Sequence, residues 1–158
     1  MAQRMSDTEA LMWAIEREPT LRSSFLNVTF LDCAPDFDRF LEKMAGAVIE
    51  IPRLRQRVAE SMRSAVPEWV DDPEFDLGFH VRRIAVASPG TERDVLDLAA
   101  RLYQDALDPS RPLWQLTIVE GIEGGRAALL AKMHHTITDG VGGVRLSAMF
   151  LDLQRDAA

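Results

Sequence analysis

Cysteine is nearly absent: Cys33 stands alone among 158 residues. An internal disulfide is excluded, and the usage fits a reducing compartment. Long apolar runs are missing too. No stretch reaches the roughly 18 to 20 apolar residues that a membrane-crossing helix requires. The opening residues, Met1 to Asp7, lack the apolar core of a secretory signal. A cytoplasmic protein is the expectation. Basic charge is scarce, with 18 Lys and Arg against 25 Asp and Glu and a net charge of −7. Nucleic acid is therefore excluded as the main partner, because phosphate contacts need a basic face. Arg53, Arg55, Arg57 and Arg63 form one local basic patch, which a solvated strand face would also explain.

What is present suits one folded domain. The apolar fraction is 47% and the charged fraction 27%, the balance of a globular chain with a core. Ser6 and Glu9 have capping-box spacing, so a helix starts there, runs through Leu11, Ala14 and Ile15, and stops before Pro19. Phe25 to Leu31 alternates as a strand. Asp36 to about Ile49 carries Phe37, Phe40, Leu41, Met44, Ala47 and Val48 at helical spacing. Strands are expected over Leu54 to Met62, at Glu68 to Val70, and from His80 to Val86. Thr91 and Asp94 open a third helix, with Val95, Leu98, Ala99, Leu102 and Ala106 as its buried stripe. Trp114 to Val119 and Arg126 to about Met133 form a hairpin around a glycine-rich turn. The second strand is apolar on nearly both faces, so it should lie centrally. A last helix is expected from about Gly142, lined by Leu146, Met149, Phe150 and Leu153.

That central strand runs into His134-His135-Thr136-Ile137-Thr138-Asp139-Gly140, which holds two of the three histidines. A strand end entering a glycine-rich turn is a usual place for a site. A histidine there suits general-base chemistry, because its pKa lies near neutrality. Asp139 can fix loop geometry through a charged hydrogen bond. Gly140, Gly142 and Gly143 leave room for a ligand beside the backbone. Adjacent residues of an extended segment face opposite ways, so the two histidines cannot share one task. The same geometry argues against a metal, since chelating pairs come at H-x-H or H-x-x-x-H spacing. The Lys-Ser/Thr ending of a phosphate-binding Walker loop is missing. Two loop histidines without chemistry remain the bland alternative. His80 reads as an ordinary strand residue, and Trp13 and Trp69 as core or cleft wall.

The segment matches the HHxxxDG signature of the CoA-dependent acyltransferases, which include chloramphenicol acetyltransferase and the condensation domains of peptide synthetases. Lys132 to Leu146, the Arg111-Pro112-Leu113-Trp114 stretch after Leu107-Asp108, and the opening Met5-Ser6 with Asp7 and Glu9 resemble the wax ester synthase/diacylglycerol acyltransferase branch. The resemblance covers nearly the whole chain. It implies an α+β sandwich, a mixed sheet flanked by helices like the N-terminal half of the chloramphenicol acetyltransferase fold, with residues 1–158 as that half-domain. It implies long-chain acyl transfer from acyl-CoA to a fatty alcohol or diacylglycerol, without cofactor or metal. His135 resembles the general base and His134 its supporting neighbour. Asp139 resembles a structural carboxylate paired with an arginine, for which Arg55 is the candidate. Gly140, Pro112, Leu113 and Trp114 are candidate substrate contacts, plain packing being the alternative for the last three.

Family enzymes are longer, with two similar halves around a channel. The expected partners are therefore acyl-CoA, a lipid alcohol, and a C-terminal half or a second copy, with peripheral membrane or lipid-droplet contact. A base without transition-state stabilisation gives up roughly 3–4 kcal/mol, so this chain by itself is expected to be a poor enzyme. Two rival readings remain: a condensation-type or polyketide-associated acyltransferase using a carrier-bound thioester, and a non-catalytic module that pairs with a partner half.

Overall fold

The computed structural model describes residues 2–60 and 65–137. After the short strand β1 (Gln3–Arg4), helix α1 (Asp7–Ile15) starts where Ser6 and Glu9 cap each other. The Ser6 hydroxyl accepts the Glu9 N–H at 3.3 Å, and the Glu9 carboxylate accepts the Ser6 N–H at 2.7 Å. Strand β2 (Ser24–Leu31) leads to α2 (Phe37–Glu50), whose first turn is held by the Asp36 carboxylate accepting from Asp38 and Arg39 N–H. Phe40, Met44, Ala47 and Val48 are its buried stripe, the spacing of one helix face. Strands β3 (Gln56–Ala59) and β4 (Glu68–Asp71) pair antiparallel, and β1 adds to β4.

A one-turn helix, α3 (Leu77–His80), precedes β5 (Val81–Gly90). Helix α4 (Glu92–Gln104) begins with the Thr91/Asp94 capping box, as its spacing predicts. Strands β6 (Trp114–Ile122) and β7 (Ala127–His134) form the hairpin. Gly121, Gly124 and Gly125 take positive φ there, at 84°, 75° and 73°, a region glycine enters without Cβ strain. The larger sheet has the order β2-β7-β6-β5, with β5 parallel to β6 and the other pairs antiparallel.

Strand β7 is central and covered on both sides. Leu129 and Met133 pack with α2, Trp114, Leu116 and Ile118 on one face. Ala128 and Leu130 pack with Val95 and Ala99 of α4 on the other. This is the mixed sheet flanked by helices that the family resemblance implies. A third cluster joins Met5, Val58, Trp69, Leu107 and Leu113, linking the small sheet to the start of the hairpin.

Several boundaries differ from expectation. The strand expected over Leu54 to Met62 is reduced to Gln56–Ala59, and residues 61–64 lie outside the described residues. Before it, Pro52–Arg55 form a 3-10 turn, with Pro52 in its first positions, where proline's fixed φ favours helical geometry. His80 belongs to α3 rather than to a strand, because the Asp76 carboxylate caps that turn through the Gly78 N–H. Ala106 is exposed and lies beyond α4. The helix ends earlier because the Lys132 ammonium donates to the carbonyls of Leu102 and Asp105, a closure that favours a cation at a helix C-terminus. The helix expected from Gly142 lies outside the described residues.

Candidate active site

Strand β7 delivers His134 to the site, and β2 holds it in register, with Ser24 opposite His134. The backbone beyond stays tied on both sides. The His134 N–H donates to the Leu113 carbonyl at 3.0 Å, and the His135 N–H donates to the Ser23 carbonyl at 2.8 Å.

The His134 imidazole is 1% exposed and fully partnered. Its Nε2 lies 3.0 Å from a Glu16 carboxylate oxygen. A carboxylate only accepts, so Nε2 carries the hydrogen. Its Nδ1 accepts the Thr136 N–H at 3.2 Å, and the Thr136 hydroxyl oxygen lies 2.7 Å from the same nitrogen. The ring is therefore the neutral Nε2–H tautomer. Burial pushes its pKa down, the Glu16 charge and hydrogen bond oppose that, and His135 adds to the lowering. Trp13 meets the ring edge-on, with centroids 6.2 Å apart.

His135 has the opposite surroundings. It is exposed, and its ring rests against Phe25 of β2 with centroids 4.8 Å apart. The two rings make separate contacts, as strand alternation requires. A buried, fixed neutral ring cannot exchange protons with a substrate. An exposed ring backed by an aromatic face can meet one.

The Pro112-Leu113-Trp114 stretch is buried throughout. Trp114 is 0% exposed and its indole N–H donates to the Leu54 carbonyl at 2.7 Å. Its ring stacks on His80 at 4.5 Å, and Phe75 also stacks on His80 at 5.3 Å. The Trp114 carbonyl accepts from His80 Nδ1 at 2.7 Å. His80 is thus a core residue, and burial lowers its pKa. Leu113, although buried, lines a cleft of about 290 Å³ together with Trp13, Glu16, Arg22 and Leu107.

Of the basic patch, Arg53 covers the Trp69 ring at 4.0 Å. Arg55 donates to the Val48 carbonyl at 3.1 Å and lies 3.9 Å from Asp71. Arg63, Asp139 and Gly140 lie outside the described residues, so the pairing expected between Asp139 and Arg55 does too. Among the described residues no cluster of three or more His, Cys, Asp or Glu could hold a metal ion. No helix of the described residues is long and apolar enough to cross a membrane.

Sequence reasoning missed Glu16, Ser23, Phe25 and Thr136 as parts of this site. Thr136 stands inside the signature and had a local signal. Glu16 had none, since 118 residues separate it from His134.

The catalytic-domain profile of the wax ester synthase/diacylglycerol acyltransferase family matches residues 5–158. A putative diacylglycerol O-acyltransferase of Mycobacterium tuberculosis is 45% identical over 157 residues, covering 99% of this chain and 32% of the relative. The chain thus spans about a third of that relative's length. Among solved structures, a wax ester synthase/diacylglycerol acyltransferase from Marinobacter aquaeolei VT8 superposes with a TM-score of 0.75 at 22% identity, over 98% of this chain and 40% of the other. A starter condensation domain of rhizomide synthetase, solved with C8-CoA, gives 0.77 at 12% identity, over 95% and 34%. These two likenesses show a shared fold. The family match extends over nearly the whole chain, and the chain belongs to the wax ester synthase/diacylglycerol acyltransferase family.

Proposed function

We propose that this chain supplies the general base of an O-acyltransferase that moves a long-chain acyl group from acyl-CoA to a fatty alcohol or diacylglycerol. The observation that carries the reading is the exposed His135 ring, set beside Phe25 at the end of a doubly covered strand. In the reaction, the His135 imidazole takes the proton of the acceptor hydroxyl. The oxygen attacks the thioester carbonyl carbon, and the C–S bond breaks. The imidazolium returns the proton to the leaving sulfur, giving an ester and free CoA. Acyl-CoA is a substrate here, and no cofactor enters the scheme.

His134 supports the reacting segment, and Asp139 with Arg55 shapes the loop that follows. Gly140 leaves space for the reacting groups. Residues 1–158 act as an N-terminal half-domain. A C-terminal half, or a second copy, completes the channel and the stabilisation of the oxyanion. The protein works in the cytoplasm, with peripheral contact to the inner membrane or a lipid droplet where its acceptor resides.

The test is release of free CoA from palmitoyl-CoA with hexadecanol or diacylglycerol as acceptor, with the chain alone and with a C-terminal half added. Mass in solution is measured for each mixture. Release that requires both the acceptor and the added half is expected. Release from an acyl-carrier thioester in preference to palmitoyl-CoA would favour the condensation-type reading. No release in any mixture would leave the non-catalytic module as the better account.

A further inference from the structure

Nothing in the HHxxxDG pattern marks Glu16, yet it ties the reacting segment to the rest of the fold. It lies directly after α1, as that helix's C-terminal cap. Its side chain is 18% exposed. One of its oxygens accepts two hydrogen bonds, from the Ser23 N–H at 2.9 Å and from His134 Nε2–H at 3.0 Å. The carbonyl of the same Ser23 accepts the His135 N–H. A single carboxylate oxygen therefore grips both the residue before His135 and the residue just ahead of β2 that holds His135's backbone.

The arrangement is demanding. His134 Nδ1 already accepts from the Thr136 N–H, so the neutral ring must present Nε2–H to an acceptor. At 1% exposure the ring N–H does not reach bulk water directly. Without Glu16 the buried N–H would lose its partner, and the ring would turn or change tautomer against the Thr136 N–H. Either shift moves the backbone from which His135 projects.

We propose that Glu16 is a positioning residue for the reacting imidazole, acting through His134 and Ser23 to aim His135. The proposal rests on His135 being the base. An amide oxygen at position 16 could accept the same two N–H groups, so Gln should substitute where Ala cannot.

The experiment uses this chain with a C-terminal half added, with palmitoyl-CoA and hexadecanol. Glu16→Ala should lower kcat about tenfold to a hundredfold with KM for palmitoyl-CoA within about threefold, the cost expected of a misplaced catalytic group. Glu16→Gln should restore kcat to within about threefold of the parent, because the acceptor geometry is kept. On a His135→Ala background, Glu16→Ala should add no further loss, since coupled residues are not additive. Nitrogen NMR of the unaltered chain should find His134 protonated on Nε2 and not on Nδ1.

An unchanged kcat in Glu16→Ala while His135→Ala is inactive overturns this proposal alone. So does a full additional loss on the His135→Ala background, an Nδ1–H ring at His134, or a Gln variant as slow as the Ala variant. An active His135→Ala enzyme overturns the base reading, and this proposal with it. Melting curves accompany each variant. Where the Ala variant does not fold, the Gln variant and the nitrogen shifts decide.

Discussion

His134 sits in a closed network, with Glu16 on one ring nitrogen and Thr136 on the other. Its neighbour His135 is exposed, and its ring meets only Phe25 among the ring contacts of the described residues. One peptide unit separates a ring built into the fold from a ring left exposed. The period of the strand makes this division possible, because alternate residues face opposite ways. Burial then assigns the tasks. The side that meets Glu16 holds its ring fixed, and the other side leaves its ring exposed.

The contrast is broken most severely at His134. His134→Ala should destabilise the fold by about 2–4 kcal/mol, because it opens a cavity and leaves the half-buried Glu16 carboxylate with the Ser23 N–H as its remaining donor. Chemical denaturation measures this, and a loss below about 0.5 kcal/mol would show that the network contributes little. Next comes Thr136→Val, which keeps the shape and removes the hydroxyl from Nδ1. A cost of about 1–2 kcal/mol is expected by the same measurement.

Acid tests the neutral state of the ring. Burial lowers the pKa of both His134 and His80 from the usual 6.5. The unfolded chain then binds protons that the folded chain refuses, so stability is full above about pH 6.5 and falls as pH drops below it. Each ring contributes a slope of at most about 1.4 kcal/mol per pH unit in that window. Thermal melting from pH 7.5 to 5.5 should show the decline. A flat profile would mean that neither ring is held neutral. The smallest effect is expected on the exposed side: His135→Ala should change stability by less than about 0.5 kcal/mol. A large loss there would erase the distinction between the two histidines.

Much of the fold was legible because its signals are local. The Ser6/Glu9 and Thr91/Asp94 caps lie three residues apart, and α2 declares its buried stripe within its own turns. The hairpin was legible from its glycines and from the apolar run of β7. What failed was set by distant partners. The end of α4 depends on Lys132, which reaches Leu102 across 30 residues. The helical turn at His80 is set locally by the Asp76 cap, but the burial of its ring depends on Trp114, 34 residues away. The site divides the same way. Opposite facing of the two histidines follows from strand geometry, and the likeness around His134 to Gly140 singles out His135. Glu16 and Ser23 enter only when the chain folds and brings the end of α1 beside the end of β7. For Pro112, Leu113 and Trp114, burial and the Leu54 contact favour the packing alternative, since no composition rule separates a core tryptophan from a cleft tryptophan.

The central claim is that His135 takes the acceptor's proton. The most direct test is the rate of acyl transfer from palmitoyl-CoA to hexadecanol by this chain with a C-terminal half added, with and without His135→Ala, at matched folding. Loss of a general base should lower kcat by about 10²- to 10⁴-fold with an unchanged melting temperature. A variant that folds normally and keeps the parent rate would contradict the account.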